Sequence, residues 1–346
     1  MKQFIQKILL YSIPIIVPVV IFSVFVNPNL HGDIGPLGYV TFADAYAKVE
    51  LLNDNKVVNS SYALKKIDEN SVLTIGDSFS QTNINKGEVS YNYYLANYTD
   101  LKVYNLNQQW NINPFARFLY MSKTMTLPRI VIIESVERYF IENLLSIEIS
   151  LSVEDMLIYN MVDTIVDYKS QPKSILEKTQ EWVKRELCIN GYDNPVKFAL
   201  LNHSYFSCEN RESELYFYVD DIRHVELTDS MAKIVIEKLD NLYRYTESLG
   251  VQLYILIAAD KYNVYQDFIV NNPYPHKNIL DKLFSMYDNQ CVINSKDTLS
   301  NMVANYVQDV YWCNNTHWSP VGSEAVAIQV AKVINQTQGK EIFKVN

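Results

Sequence analysis

The stretch VLTIGDSFSQ, Val72 to Gln81, decides how the chain folds. Its apolar first half is typical of a buried parallel strand, and a glycine then ends the run before an Asp-Ser pair. A strand that ends in a sharp turn is one recurrent way to hold a serine hydroxyl above the edge of a sheet, where backbone N–H groups of the next helix can stabilise an oxyanion. The same letters also spell an ordinary helix N-cap. Ser78 is therefore either a nucleophile or a cap, and its partner residues must decide.

Two further apolar runs repeat the form of SVLTI (71–75). LKVYNL (101–106) and RIVIIE (129–134) follow it at spacings of about 28 residues, and the segments between the runs can be helical. This alternation predicts an α/β fold of three layers, in which helices cover a parallel, flavodoxin-like sheet.

The second half of the chain resumes the alternation after a gap. An amphipathic segment that closes at Gly250 is followed by the apolar run VQLYILIAA and later by QCVIN (290–294). A Ser-Pro start signal predicts a last helix from residue 319 or 320 to about residue 336. Residues from about 149 to 225 give no clear strand, and we expect an inserted helical segment there.

The N-terminal part of the chain predicts a membrane anchor. From Ile8 to Val26, 19 consecutive residues carry no charge, and Lys2 and Lys7 precede them. This length fits one spanning helix with its N-terminus inside, although a buried soluble helix is the alternative. No small-x-small cleavage site follows, which favours an anchor over a removed signal. We therefore expect residues 1–38 to be anchor and linker, and residues 39–346 to be a domain outside the cytoplasm, periplasmic or extracellular.

The composition indicates which classes of partner and cofactor to expect. The chain of 346 residues has 30 Lys and Arg against 39 Asp and Glu, and its net charge is −9 without a basic run. This balance argues against nucleic acid as a partner. No CxxC motif or His/Cys cluster predicts a metal, and we expect no cofactor. The 26 tyrosines would suit a carbohydrate-facing surface or, alternatively, ordinary core packing.

Four cysteines, Cys188, Cys208, Cys291 and Cys313, permit two disulfides in an exported chain. We expect local pairing, Cys188 with Cys208 and Cys291 with Cys313, because each bond would close a short loop. Four thiols are the alternative.

His317 is the candidate partner of Ser78. It lies in WCNNTHWSPVGSEAVAI, directly before the last predicted helix. In a flavodoxin-like sheet the end of the first strand and the loop before the last helix can meet at the carboxyl edge, so the topology permits a pair of Ser78 and His317. A surface histidine that only makes hydrogen bonds is the alternative.

Together, GDSFSQ and NNTHWSPVGSEAVA resemble two motifs of the SGNH hydrolase superfamily, in the branch of the alginate O-acetylation proteins AlgJ and AlgX. That branch pairs a GDSF-type nucleophile motif with a D-x-H-W motif. The segments PRIVIIESVERYF (128–140) and YILIAADKYNVYQDFI (254–269) are also similar to family segments. The resemblance implies that Ser78 is a transiently acetylated nucleophile and His317 its base. It also implies that the backbone N–H of Ser78 donates to the oxyanion.

The chain departs from the family pattern beside the histidine. The family's acid belongs two residues before the histidine, where this chain has Asn315, and Asn314 before it is also neutral. An Asn oxygen can accept the imidazole N–H and fix its tautomer, but it cannot offset the charge of a forming imidazolium. Three consequences stay open: a slower enzyme, a carboxylate from elsewhere in the chain, or a domain that binds without reacting.

A second departure concerns the oxyanion. The superfamily's glycine after the second strand is replaced by Asn107 and Gln108, and either amide could donate to an oxyanion or form a turn. Charged and aromatic residues near strand ends or the histidine could bind a sugar, or else make structural contacts: Glu134, Arg138, Lys261 and Trp318.

The resemblance implies a membrane-anchored carbohydrate O-acetyltransferase, or the related acetylesterase, that acts on an exopolysaccharide or cell-surface glycan through a Ser-linked acetyl intermediate. The two activities differ in whether a sugar hydroxyl or water attacks the acyl-enzyme. The anchor favours transferase work beside a membrane partner that passes the acetyl group across the bilayer, as the resemblance implies. The alternatives are a catalytically attenuated glycan-binding or assembly protein, and a membrane-tethered scaffold without sugar contact.

Overall fold

The computed structural model describes residues 11–14, 18, 33–34, 57–59, 67–68, 70–81, 89–107, 113–150 and 195–345. Most of the predicted anchor, residues 8–26, lies outside this set, as does the predicted domain boundary at residue 39. Within the set, no helix combines the length and the apolar character that a membrane crossing requires.

A sheet of parallel strands forms the centre of the domain. Its strands are β1 Val57–Asn59, β2 Ser71–Gly76, β3 Lys102–Asn107, β4 Ile130–Val136, β7 Gln252–Ala258 and β8 Val292–Asn294. They are ordered β1-β3-β2-β4-β7-β8, and every pair of neighbours is parallel. All residues of β2 and β4 are buried, as expected of strands that are covered on both faces. The predicted parallel α/β sheet is confirmed, and β1 is an addition whose three residues are too short a run to be recognised in the sequence.

The order of the strands fixes where a site can form. From the central strand β2 the chain passes to β3 on one side and then crosses to β4 on the other side. Ile75 of β2 pairs with Leu106 of β3 and with Ile133 of β4. Such a reversal opens a crevice at the carboxyl ends of the strands. The residues that follow Gly76, Ser78 among them, therefore lie at this crevice.

Helices cover the sheet. They are α1 Tyr91–Asn97, α2 Pro114–Thr124, α3 Glu137–Leu145, α4 Asp229–Ser248, α5 Lys261–Tyr265, α6 Ile279–Met286, α7 Ser295–Ala304 and α8 Pro320–Gln338. Helix α8 contacts both α1 and α7, and α2, α3, α4 and α6 form a second contacting group. The start of α8 follows from its sequence, because the Ser319 hydroxyl accepts the Val321 N–H at 3.0 Å and proline takes the first helical position.

The predicted helical insertion needs a correction. Residues 151–194 lie outside the described set, but the rest of the segment contains an antiparallel hairpin, β5 Val196–Leu200 and β6 Glu214–Tyr218. The hairpin packs on α5 through Phe217, whose ring lies 4.8 Å from that of Tyr262. β5 alternates irregularly between buried and exposed residues, so its sequence lacks the period of a half-buried strand.

The predicted pairing of the cysteines is also wrong. Cys208, Cys291 and Cys313 are thiols in the structure, and Cys188 lies outside the described residues. Cys291 accepts a hydrogen bond from Gln252 at 3.3 Å, whereas Cys313 shares a hydrogen bond with the Cys208 thiol. Tertiary folding, and not loop length, therefore decides which cysteines are neighbours.

Candidate active site

Ser78 begins a single 3-10 turn, Ser78–Ser80, directly after β2. Asp77 caps this turn, because its Oδ1 accepts the Phe79 N–H at 3.1 Å. Its Oδ2 accepts the Val136 N–H at 2.9 Å, so the same carboxylate joins the turn to the end of β4. The helix expected behind the serine is thus reduced to one turn, and its N-cap is Asp77 and not Ser78. Ser78 itself is half-buried.

Glu134 supports the turn from inside the protein. It is fully buried in β4, and its Oε2 accepts the Asp77 N–H at 3.0 Å and the Ser80 hydroxyl at 2.8 Å. Burial, reinforced by the neighbouring Asp77 carboxylate, raises the pKa of Glu134 well above its usual range. A Cβ on Gly76 would lie 2.0 Å from Ser80 Oγ and 2.5 Å from Glu134 Oε2, so only glycine fits there.

Two asparagines that the sequence did not reveal hold the other end of the turn. The Ser80 carbonyl accepts from Asn105 Nδ2 at 2.8 Å and from Asn92 Nδ2 at 3.0 Å. Thr74 donates to Asn105 Oδ1 at 2.9 Å, and all three polar side chains are buried. The available signal was a pair of polar residues, Thr74 and Asn105, inside otherwise apolar strands, where a buried polar group requires a partner.

His317 lies on the loop before α8 and contacts the serine turn. The Phe79 ring lies 4.8 Å from the imidazole. Imidazole Nδ1 is 2.5 Å from Asn315 Oδ1, which also accepts the His317 backbone N–H at 3.1 Å. Because Asn315 Oδ1 is an acceptor, Nδ1 carries the proton and Nε2 has the lone pair of a base.

His317 Nε2 is buried and makes no hydrogen bond with any residue that the structure describes. The predicted pair is therefore not closed by a hydrogen bond, although the two loops meet as expected. Catalytic hydrogen bonds are often loose until substrate binds, so this geometry is compatible with a resting enzyme.

A carboxylate from a distant part of the chain approaches the histidine. Asp33 Oδ2 lies 3.6 Å from His317 Nδ1. Asp33 Oδ1 accepts the Thr316 N–H at 2.8 Å, and Oδ2 accepts the Thr316 hydroxyl. The next residue, Ile34, donates its N–H to the Asn314 carbonyl at 3.1 Å. Asp33 belongs to the stretch assigned to the linker, and no local sequence signal connects it to His317.

Lys261 lies beneath the histidine loop. Its buried Nζ donates to the carbonyl oxygens of Trp312, Cys313 and Asn315 at 2.7, 3.1 and 3.2 Å. Burial lowers the pKa of Lys261 to about 8. These contacts are structural, which is the alternative to sugar binding for Lys261. The ammonium fixes the loop that carries His317.

Trp318 is also buried against the site. Its ring lies 4.7 Å from the Phe79 ring, and its Nε1 donates to the Tyr311 hydroxyl at 2.9 Å. Phe79 thus lies between Trp318 and His317 and joins the serine turn to the histidine loop. Sugar stacking on Trp318 stays a prediction, whereas the packing role is visible in these contacts.

Arg138 belongs to a buried network of charges at the end of β4. Its Nη1 lies 2.6 Å from Asp260 and 3.3 Å from Asp221. Lys277 Nζ lies 2.6 Å from Asp260 and 3.3 Å from Glu137. The nearby carboxylates raise the pKa of Arg138, against the effect of its burial. Of the two alternatives for Glu134 and Arg138, sugar binding and structural contacts, the contacts among the described residues are structural, and sugar binding stays a prediction.

The remaining predicted residues are placed only in part. Asn107 ends β3 and pairs with Gly76 of β2, next to the serine turn, while Gln108 lies outside the described residues. Within the described part of the chain, no group of three or more His, Cys, Asp or Glu could hold a metal ion.

Residues 217–345 match the family model described as SGNH hydrolase-like domain, acetyltransferase AlgX. Over these residues the chain is AlgX-like. The match includes His317, Asn315, Lys261 and Trp318, and the resemblance drawn from the motifs is confirmed. Ser78 and Asp33 lie outside the matched range. No curated protein matches the chain. The AlgX-like match supports acyl-transfer chemistry in general.

Proposed function

We propose that this AlgX-like protein is a carbohydrate O-acetyltransferase, or the related acetylesterase, that works through an acetyl group on Ser78. One observation carries the proposal: His317 Nε2, which has no hydrogen-bond partner among the described residues, lies on a loop that packs against the turn of Ser78, while Nδ1 is held by Asn315. An imidazole whose Nδ1 is fixed and whose Nε2 keeps its lone pair for a proton is what a general base requires.

In the first half-reaction, Ser78 Oγ would attack the acetyl carbonyl carbon of the donor as its proton passes to His317 Nε2. The bond to the leaving group then breaks, and the leaving group takes the proton from Nε2. In the second half-reaction a sugar hydroxyl or water attacks acetyl-Ser78 and gives its proton to Nε2. The bond between Ser78 Oγ and the acetyl carbon then breaks, and Oγ takes the proton back from Nε2. The serine is restored, and the product is an acetylated sugar or, when water attacks, acetic acid.

The proposal extends to location and partners. The uncharged run at residues 8–26 supports an anchored protein whose domain lies outside the cytoplasm. In that place the substrate would be an exopolysaccharide or a cell-surface glycan. A membrane protein that passes acetyl groups across the bilayer would supply the donor.

Intact-mass analysis of the full-length protein, incubated with an activated aryl acetate, tests the chemistry. We expect an acetyl adduct in the wild type that is absent in Ser78→Ala and strongly slowed in His317→Ala. His276→Ala is the matched control, because His276 is exposed and pairs only with the exposed Asp267 among the described residues. An adduct that persists in Ser78→Ala would refute the role of Ser78.

The second candidate function is glycan binding without catalysis. It is favoured by Asn315, a neutral residue, at the position where the family pattern has an acid. Saturable binding of an acidic or neutral exopolysaccharide that is unchanged in Ser78→Ala, together with no acetyl adduct in the wild type, would favour this candidate.

A further inference from the structure

We propose that Asp33 supplies the negative charge that the family pattern places at position 315, and that it acts as a positioning residue for His317. This inference rests on the proposed acetyl-transfer function. It assigns to two residues the work that one carboxylate does in a Ser-His-Asp triad: Asn315 fixes the tautomer of the imidazole, and Asp33 stabilises the imidazolium.

The geometry supports this division. Asn315 Oδ1 occupies the hydrogen-bonding position at Nδ1, at 2.5 Å, and Asp33 Oδ2 lies beside it at 3.6 Å from the same nitrogen. At 3.6 Å the carboxylate acts through its charge more than through a hydrogen bond. The side chains of His317 and Asp33 are 21% and 17% exposed, so solvent screens their interaction only in part.

The Asp33 carboxylate is also held in place. The Thr316 N–H and hydroxyl both donate to it, and the Ile34 N–H ties the next residue to the Asn314 carbonyl. A charge fixed before the reaction needs no reorganisation when the imidazolium forms. Its attraction for His317 is largest once Nε2 has accepted the Ser78 proton, so it lowers the barrier and not only the energy of the ground state.

The position of Asp33 in the chain gives the inference a practical consequence. Asp33 precedes residue 39, where the sequence predicts that the domain begins, and it follows the uncharged run that ends at Val26. A fragment that starts at residue 39 would contain Ser78, His317 and Asn315 but lack the carboxylate. We expect such a fragment to be acetylated more slowly than the full chain.

The test compares four full-length proteins: wild type, Asp33→Asn, Asn315→Asp and the double variant Asp33→Asn/Asn315→Asp. The rate of Ser78 acetylation by an aryl acetate is followed by intact mass over a range of ester concentrations. We expect Asp33→Asn to lower the maximal rate by at least about tenfold, or about 1.4 kcal/mol, with little change in the half-saturating concentration. The double variant should recover most of the wild-type rate, because it returns a carboxylate to the family's position.

Rescue separates a charge effect from a structural one. If Asp33 only tied Thr316 to the linker, a carboxylate at position 315 would not restore the rate. Asp33→Ser keeps an acceptor for the Thr316 N–H and is the second variant, in case Asp33→Asn misfolds. It should be as slow as Asp33→Asn and respond equally to Asn315→Asp.

The outcomes distinguish two failures. Wild-type acetylation with an unaffected Asp33→Asn rate, or a slow Asp33→Asn that Asn315→Asp does not rescue, overturns the role of Asp33 alone. No acetylation of Ser78 in either the wild type or Asn315→Asp overturns the proposed function, and the role of Asp33 with it.

Discussion

Lys261 Nζ lies 2.7 Å from the carbonyl oxygen of Trp312, beneath the loop that carries His317. The carbonyls of Cys313 and Asn315 accept from the same ammonium, so three oxygens of one loop converge on one buried donor. Lys261 therefore fixes the loop beneath the imidazole. Among the described residues, it makes no hydrogen bond with Ser78 or with the imidazole. This relationship predicts that the lysine affects catalysis through the loop.

Replacing Lys261 by Met should weaken both the fold and the site. The substitution leaves buried carbonyl oxygens without their donor, which costs about 1–3 kcal/mol per unsatisfied group. We expect a lower free energy of unfolding in urea and slower acetylation of Ser78. Lys282→Met is the matched control, because Lys282 is partly exposed and pairs with the exposed Asp229. Equal acetylation rates in Lys261→Met and wild type would show that the loop keeps its geometry without the ammonium.

The lowered pKa of Lys261 gives stability a defined pH dependence. In the fold its pKa is about 8, against an ordinary value of 10.5, so the unfolded chain binds more protons between these values. Stability should therefore rise with pH from about 8 towards 10, by up to about 1.4 kcal/mol per unit. Urea unfolding at about pH 8.0 and about pH 9.5 measures this rise in the free energy of unfolding. The increment should vanish in Lys261→Met, and an identical increment in that variant would assign the effect to other groups.

Glu134 should have the opposite pH dependence. Burial raises its pKa in the fold well above the ordinary 4.5, so the folded protein binds the extra proton and stability falls as pH rises above that value. Glu134→Gln keeps an acceptor for Asp77 and Ser80 but cannot ionise. We expect the variant to lose less stability than the wild type between about pH 5 and pH 8. Glu237→Gln, at an exposed site on α4, should behave like the wild type, and a matching slope in all three proteins would contradict the assignment.

Elements whose ends are marked by their own residues could be predicted from the sequence. The apolar runs of β2 and β4 end at turn signals, and α8 has its Ser-Pro start, so these elements could be predicted from their own residues. The meeting of the Ser78 turn with the His317 loop followed from topology. Asp33 could not be found in this way, because its contact with Thr316 joins residues 283 positions apart and depends on the folded path of the chain.

The roles of polar residues were the hardest to predict for the same reason. A lysine or glutamate after an apolar run can line a cleft or enter the protein, and the neighbours that decide this come from other elements. Lys261 lies under a loop about fifty residues further along the chain, which no period or motif near Lys261 indicates. The hairpin of β5 and β6 is not evident from the sequence, because each strand has five residues and neither has the period of a half-buried strand. β5 alternates irregularly, and the three middle residues of β6 are all buried.

The cysteine contacts predict which disulfide an oxidant can form. Cys208 and Cys313 share a hydrogen bond and are both buried, whereas Cys291 contacts Gln252. Treatment with oxidised glutathione should therefore link Cys208 to Cys313, by exchange through a mixed disulfide, and release two molecules of reduced glutathione. Peptide mapping without reductant identifies the bond. A Cys291–Cys313 bond as the main product would contradict the described packing.

Two glycine substitutions, Gly76→Ala and Gly250→Ala, distinguish an effect on the site from an effect on overall stability. At Gly76 a Cβ would overlap Ser80 Oγ at 2.0 Å, so Gly76→Ala must displace the turn that carries Ser78. We expect a loss of about 1–3 kcal/mol in unfolding free energy and at least about a tenfold slower acetylation. Gly250 after α4 has φ 69° and open space around its Cβ position, so Gly250→Ala should cost about 1–2 kcal/mol through backbone strain alone.

If both variants lose stability but only Gly76→Ala loses acetylation, the geometry of the Ser78 turn, and not general stability, controls the reaction. Equal acetylation in the two variants would mean that the turn tolerates the displacement and that Ser78 does not depend on its support by Ser80 and Glu134.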